Sequence, residues 1–117
     1  MTSEAGTRMH TVKIGTDRGL LAFDPKTITA APGDTIEWVI NKLGPHNVVF
    51  DPTHVPGQDK ALASMLSRTP LLVNPGQTHT TRIPADAPAG EYHFHCTPHR
   101  GAGEAGKLII EARTEET

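Results

Sequence analysis

Apolar and polar side chains alternate along most of this chain. HTVKIG (residues 10–15) and ITAAPGDTIEWVINK (28–42) follow this alternation, with Pro32-Gly33 breaking the second stretch. A period of two places one face of a strand on a core and the other in water, and a Pro-Gly pair between two such runs reads as a turn. The pattern returns in HNVVF (46–50), TPLLVNPGQTHTTRI (69–83), GEYHFHC (90–96) and GKLIIEA (106–112), with Pro75-Gly76 and Ala89-Gly90 as further breaks. Six to eight short strands at this spacing predict an all-β domain of two antiparallel sheets packed face to face. VPGQDKALASMLSRT (55–69) differs, because Leu62, Met65 and Leu66 fall at i, i+3 and i+4. That spacing predicts one short helix, between about residues 57 and 68, inside a long crossing connection. Trp38, Val39, Ile40, Val48, Val49, Phe50, Leu108, Ile109 and Ile110 are the expected core.

Length and charge narrow the possibilities. A chain of 117 residues is one domain, with residues 1–8 read as a polar tail, 9–113 as the folded unit and 114–117 as a second tail. The formal net charge is −2 with both signs scattered, which argues against nucleic acid or an anionic membrane surface as a partner. No apolar run approaches the roughly 18 residues that span a bilayer. The opening MTSEAGTRMHTVKIG lacks the apolar stretch of a secretory signal, so an exported form is expected to have lost its signal already. The five aromatic residues are few, and aliphatic side chains are expected to supply most of the burial.

The chemistry concentrates in residues 92–110, which hold the only cysteine. Cys96 cannot form an internal disulfide, and it precedes His99 by three residues, with His46 at the start of a separate strand. A thiolate with two imidazoles is the trigonal donor set that suits copper. The competing reading is an ordinary buried thiol beside solvated loop histidines. Pro98 stiffens the turn from Cys96 to His99, Gly101, Gly103 and Gly106 permit close backbone approach, and His46 follows Pro45 at a strand entry. No Ser-His-Asp grouping, acid–base pair or open metal position beside a substrate pocket is visible, so the expectation is that the protein is not an enzyme.

NKLGPHNVVF (41–50) together with CTPHRGAG (96–103) is a specific pairing. Over roughly residues 11–112 the chain resembles the plastocyanin family of blue-copper cupredoxins, most closely its cyanobacterial type. The resemblance implies a Greek-key β-sandwich of about eight strands holding one copper ion that cycles between Cu(I) and Cu(II), with zinc as a possible substitute. His46, Cys96 and His99 match the family's three equatorial ligands, and Asn47 matches the asparagine that helps tie the two ligand loops together. The family's axial ligand is a methionine eight residues after the cysteine, and that position is Glu104 here. An anionic oxygen donor favours Cu(II) over Cu(I) and also accepts zinc; Glu104 is expected to reach the metal, the alternative being that it turns to solvent. His95 stands where the family usually carries a tyrosine, and His93 and His95, two apart on a strand, share a face that suits a metal, a proton or simple exposure.

Leu21, Gly44, Pro45, Pro98, Gly101 and Ala102 correspond to the family's flat apolar docking patch, with Arg100 beside it to steer an acidic partner. The acidic cluster of plant members is not evident, since DPTHVPGQDK supplies only Asp51 and Asp59 with Lys60 adjacent. By resemblance the protein is a monomeric electron carrier between a cytochrome f-like donor and photosystem I. It would work in the thylakoid lumen or periplasmic space, meeting membrane complexes only peripherally. Two other readings stand beside this one: a cupredoxin retuned to low potential by Glu104, and a copper- or zinc-binding module without redox work.

Overall fold

The computed structural model describes residues 8–42, 45–97 and 104–111. Among these, nine strands and one α-helix follow in the order β1 (Met9–Ile14), β2 (Phe23–Asp24), β3 (Thr27–Ala30), β4 (Thr35–Ile40), β5 (His46–Phe50), α1 (Lys60–Leu66), β6 (Arg68–Leu72), β7 (Thr78–Arg82), β8 (Gly90–His95) and β9 (Ala105–Ile110). The first sheet runs β2-β1-β4-β7 and the second β3-β9-β8-β5-β6. The sandwich expected from the alternation is therefore present, with two differences. β1 pairs with β4 and β3 with β9 in parallel, so neither sheet is purely antiparallel. Alternation records which face of a strand is buried and carries nothing about the direction of its neighbour. β2, only two residues long, is too short to show a period at all.

The core follows the period of two. β4 buries Ile36, Trp38 and Ile40, and β8 buries Tyr92 and Phe94, while the intervening residues are part-exposed. Val39, Val49 and Ile109, expected inside, are only half-buried because they occupy the outward phase of strands whose inward phase holds Trp38, Phe50 and Leu108. All five aromatic side chains are buried, and four of them join the sheets. Trp38 lies 5.2 Å from Phe94 and 6.4 Å from Phe50 between ring centres, and Phe23 lies 4.8 Å from Phe94. Such edge-on pairs add to the area they bury. The Trp38 indole N–H donates to Thr81 Oγ1 at 2.9 Å, and the Tyr92 hydroxyl donates to the Pro88 carbonyl at 2.6 Å, so neither polar tip is stranded. Burial, and then the nearby Asp59, push the Tyr92 phenol up to about 12.

The predicted helix forms with Asp59 as its N-cap, the carboxylate accepting from the Leu62 N–H at 3.1 Å. Its buried face is Leu62, Ala63 and Leu66, whereas Met65 is 64% exposed. On a 100° helical period the first three fall within one third of a turn, and Met65 lies just outside that arc, on the solvent side of Leu62. Asp34, in the turn between β3 and β4, accepts from the backbone N–H groups of Arg8 and Ala31, each at 3.0 Å, and from His10 Nε2 at 2.9 Å. Burial pushes this carboxyl up, but the bonds from His10, Ala31 and Arg8 outweigh it and hold its pKa below the ordinary value.

At one end of the sandwich the chain leaving β4 closes over the end of β1. The Asn41 and Lys42 N–H groups both point to the Ile14 carbonyl, and Asn41 Nδ2 donates to the Gly15 carbonyl at 2.8 Å. Gly15 has a φ of +83°, and a Cβ there would run into the Lys42 carbonyl oxygen. Only glycine permits both the backbone angle and this approach.

Candidate metal centre

Three strand ends of the second sheet bring the candidate donors together. His46 opens β5 and is fully buried. Cys96 extends the inward row Tyr92, Phe94, Cys96 by one step past β8, so the alternation that fills the core also turns the thiol inward. Glu104 immediately precedes β9, and the Cys96 N–H donates to its carbonyl at 3.0 Å, carrying the β8–β9 ladder one residue further and holding these two positions side by side.

The geometry at the side chains is close. His46 Nδ1 lies 3.1 Å from Glu104 Oε1 and 3.8 Å from Cys96 Sγ. One donor atom from each of the three lies within 4.8 Å of the others, and all three residues are buried. His46 Nε2 lies 2.6 Å from the Lys42 carbonyl oxygen. A carbonyl can only accept, so Nε2 carries a hydrogen and Nδ1 is the nitrogen presented to Cys96 and Glu104. Burial pulls the His46 pKa down, but the hydrogen bonds to Glu104 and to the Lys42 carbonyl, with the Glu104 charge, raise it overall. The two side chains partner each other in a dry site, where an unpaired charge would be costly.

Asn47 links the surrounding segments. Its Nδ2 donates to the Thr69 carbonyl at 3.0 Å and its Oδ1 accepts from the Thr97 N–H at 2.8 Å, so one side chain ties β5 to β6 and to the residue after Cys96. This is the tie between loops that the resemblance implied for it.

A thiolate, an imidazole nitrogen and a carboxylate oxygen, buried and converging, fit a borderline or soft transition ion such as copper or zinc; the thiolate disfavours magnesium or calcium. Of the other expected site residues, His99, Gly44, Pro98, Arg100, Gly101 and Ala102 lie outside the described residues. Leu21 and Pro45 are half-buried. His93 and His95 sit on the outward face of β8, both half-buried, as their spacing predicted. Sequence reasoning missed the Lys42 carbonyl, which no motif could signal because it is a backbone atom. It also missed His54, whose ring centre lies 5.3 Å from that of His93.

With the geometry in view, comparison with known proteins places the chain. Residues 10–111 match the family described as copper binding proteins, plastocyanin/azurin family. A plastocyanin of Nostoc punctiforme is 54% identical over 110 residues, spanning 94% of this chain and 79% of that one. A plastocyanin of a Synechococcus strain is 47% identical over 110 residues, with the same coverage of 94% and 79%. Among solved structures, the oxidized form of plastocyanin from Dryopteris crassirhizoma superposes with a TM-score of 0.70 at 29% identity, covering 86% of this chain and 99% of that one. The match over residues 10–111 and the identity to known plastocyanins show that this chain belongs to the plastocyanin/azurin family of copper-binding proteins.

Proposed function

We propose that this protein is a one-electron carrier whose copper ion is held by His46, Cys96, Glu104 and, from the loop between Cys96 and Glu104, His99. The observation that carries the reading is the buried cluster of His46, Cys96 and Glu104, with donor atoms within 4.8 Å of one another, in a chain of a copper-binding family. Bound copper supplies a one-electron couple. The protein's own residues do the rest. Cys96 and His46 would bind the ion from the interior, the Lys42 carbonyl fixes which nitrogen His46 presents, and the full burial of His46, Cys96 and Glu104 keeps water from it. Donors fixed before the metal arrives leave little to rearrange when the charge on the site changes.

The partners proposed are a cytochrome f-like donor and photosystem I, met through a patch including Leu21, Gly44, Pro45, Pro98, Gly101 and Ala102, with Arg100 at its side. A small apolar contact suits an encounter that must end quickly. The setting proposed is the thylakoid lumen or periplasmic space, with the protein monomeric and only peripherally in contact with membrane complexes. Among the described residues no helix is long and apolar enough to cross a membrane. The role is that of a carrier and not an enzyme.

A second reading, a copper site retuned to low potential, is favoured by one observation: the carboxylate of Glu104 points to His46 Nδ1 and not to solvent. The test is the visible spectrum of the protein loaded with one equivalent of Cu(II). An intense thiolate-to-copper band that changes in Glu104→Met supports a carrier with a carboxylate-tuned site. A colourless protein that retains the ion assigns it instead to zinc binding or copper storage.

A further inference from the structure

We propose that His54 and His93 form a second metal site on the outward face of the second sheet, taking a divalent ion of imidazole preference, Zn2+ in the first instance. The two rings are brought together by backbone bonds. β8 pairs with β5 as far as Phe50, and the ladder then continues into the following turn, with the Asp51 N–H donating to the His93 carbonyl at 2.9 Å and the His93 N–H donating to the His54 carbonyl at 3.0 Å. His93 is thus bracketed by the segment that carries His54. That segment is itself rigid: Asp51 Oδ1 accepts from the Thr53 N–H at 2.9 Å and from the Thr53 hydroxyl at 2.7 Å, and the His54 N–H donates to the Asp51 carbonyl at 3.0 Å.

Each ring is also held by a carboxylate. His54 Nδ1 lies 2.9 Å from Asp51 Oδ2, with the Thr53 hydroxyl at 3.0 Å, and His93 Nε2 lies 3.3 Å from Glu91 Oε1. A carboxylate on one imidazole nitrogen is the arrangement that orients metal-binding histidines and raises the donor strength of the other nitrogen. The nitrogens left to bind an ion are Nε2 of His54 and Nδ1 of His93.

The spacing fits. The ring centres are 5.3 Å apart. With both nitrogens turned to one ion about 2.0–2.1 Å away, the ion would sit roughly 3.2 Å from each ring centre, and at the observed separation the two bonds would meet at about 110°, the tetrahedral angle zinc prefers. Water completes the shell, since both rings are substantially exposed, at 59% for His54 and 45% for His93. Asp51 and Glu91 contribute negative charge, and Lys107, opposite His93 on β9 and 3.7 Å from Glu91, opposes it, so the site is one of modest affinity. The pairing differs from the His93–His95 pair that shares a strand face: His93 meets His54 in the turn that continues β5.

The experiment is calorimetric titration of the copper-loaded protein with zinc chloride at neutral pH, so that the buried site is already occupied. One equivalent of zinc is expected to bind, with affinity falling at least tenfold in His54→Gln and in His93→Gln alike and unchanged in His95→Gln. Ring-proton resonances of His54 and His93 should shift together in the same titration, which reads the site without a substitution. Loss of binding in His95→Gln with none in His54→Gln would assign the ion to the strand pair and overturn the proposal. Absence of binding to the parent protein would overturn it too.

Discussion

Replacing Glu104 by methionine should raise the reduction potential of the copper-loaded protein by an amount large enough to measure without ambiguity. Glu104 is buried, with Oε1 3.1 Å from His46 Nδ1, in a cluster whose donor atoms lie within 4.8 Å of one another. A unit negative charge about 4 Å from an ion, at an effective dielectric constant of about 20, interacts about 4 kcal/mol more favourably with a divalent than with a monovalent charge. On a one-electron couple, where about 59 mV corresponds to 1.4 kcal/mol, that is about 170 mV in favour of the oxidised state. Glu104→Gln separates charge from shape: it keeps the side-chain length, removes the charge, and is expected to raise the potential by most of the same amount. Voltammetry of the three proteins at one neutral pH is the assay. Potentials agreeing to within about 30 mV, half the interval for a tenfold change in relative affinity, would mean that the carboxylate does not act on the ion, and the electrostatic reasoning would fail.

Three further outcomes are expected. Cys96→Ser should abolish the thiolate-to-copper band, since a hydroxyl cannot supply the soft donor; a copper-loaded variant that kept the band would remove Cys96 from the metal set. Asp34→Asn should cost about 2 kcal/mol at neutral pH, because three hydrogen bonds to a charged acceptor are weakened. The pKa of Asp34 is lowered from 3.8, so its contribution is present above pH 3.8 and is lost as the pH falls through the folded-state value. Urea unfolding at pH 7 and near pH 2 should therefore show parent and variant converging at the acid end, and an undiminished gap there would contradict the assignment. Gly106→Ala should destabilise by roughly 1–3 kcal/mol, because a Cβ would meet Phe94 Cζ at 2.8 Å and the Lys26 carbonyl oxygen; a thermal melt unchanged from the parent would show that the Phe94 ring yields freely.

How far the fold could be read from the sequence depended on whether the determinant was local. The strands carrying Ile36-Trp38-Ile40 and Tyr92-Phe94 were legible because burial on one face imposes a period of two on the chain itself. The parallel pairing of β1 with β4 was not, because it is decided by where the chain returns after the intervening segment. The spacing of Leu62, Met65 and Leu66 announced the helix, but not its buried face: Ala63, too small to stand out, is buried there while Met65 is exposed. At the site, His46 and Cys96 were singled out by their donor chemistry, and Glu104 by the resemblance, which puts it at the position of the family's axial ligand. The Lys42 carbonyl has no residue type to betray it, and His54 meets His93 only because the β5–β8 ladder runs on into a turn.

The Lys42 carbonyl has a consequence for how such a site can change. His46, Cys96 and Glu104 all stand at strand ends of the second sheet, yet the oxygen that dictates the orientation of His46 belongs to the segment after β4, in the first sheet, and rests against Gly15 at the end of β1. Donor identity and donor aim are therefore written into different parts of the chain. A change of donor at position 104 need not disturb the Lys42 carbonyl's hold on the imidazole. Conversely, a side chain added at Gly15 would displace the carbonyl and alter the electron donation of His46 while leaving every metal-facing residue in place.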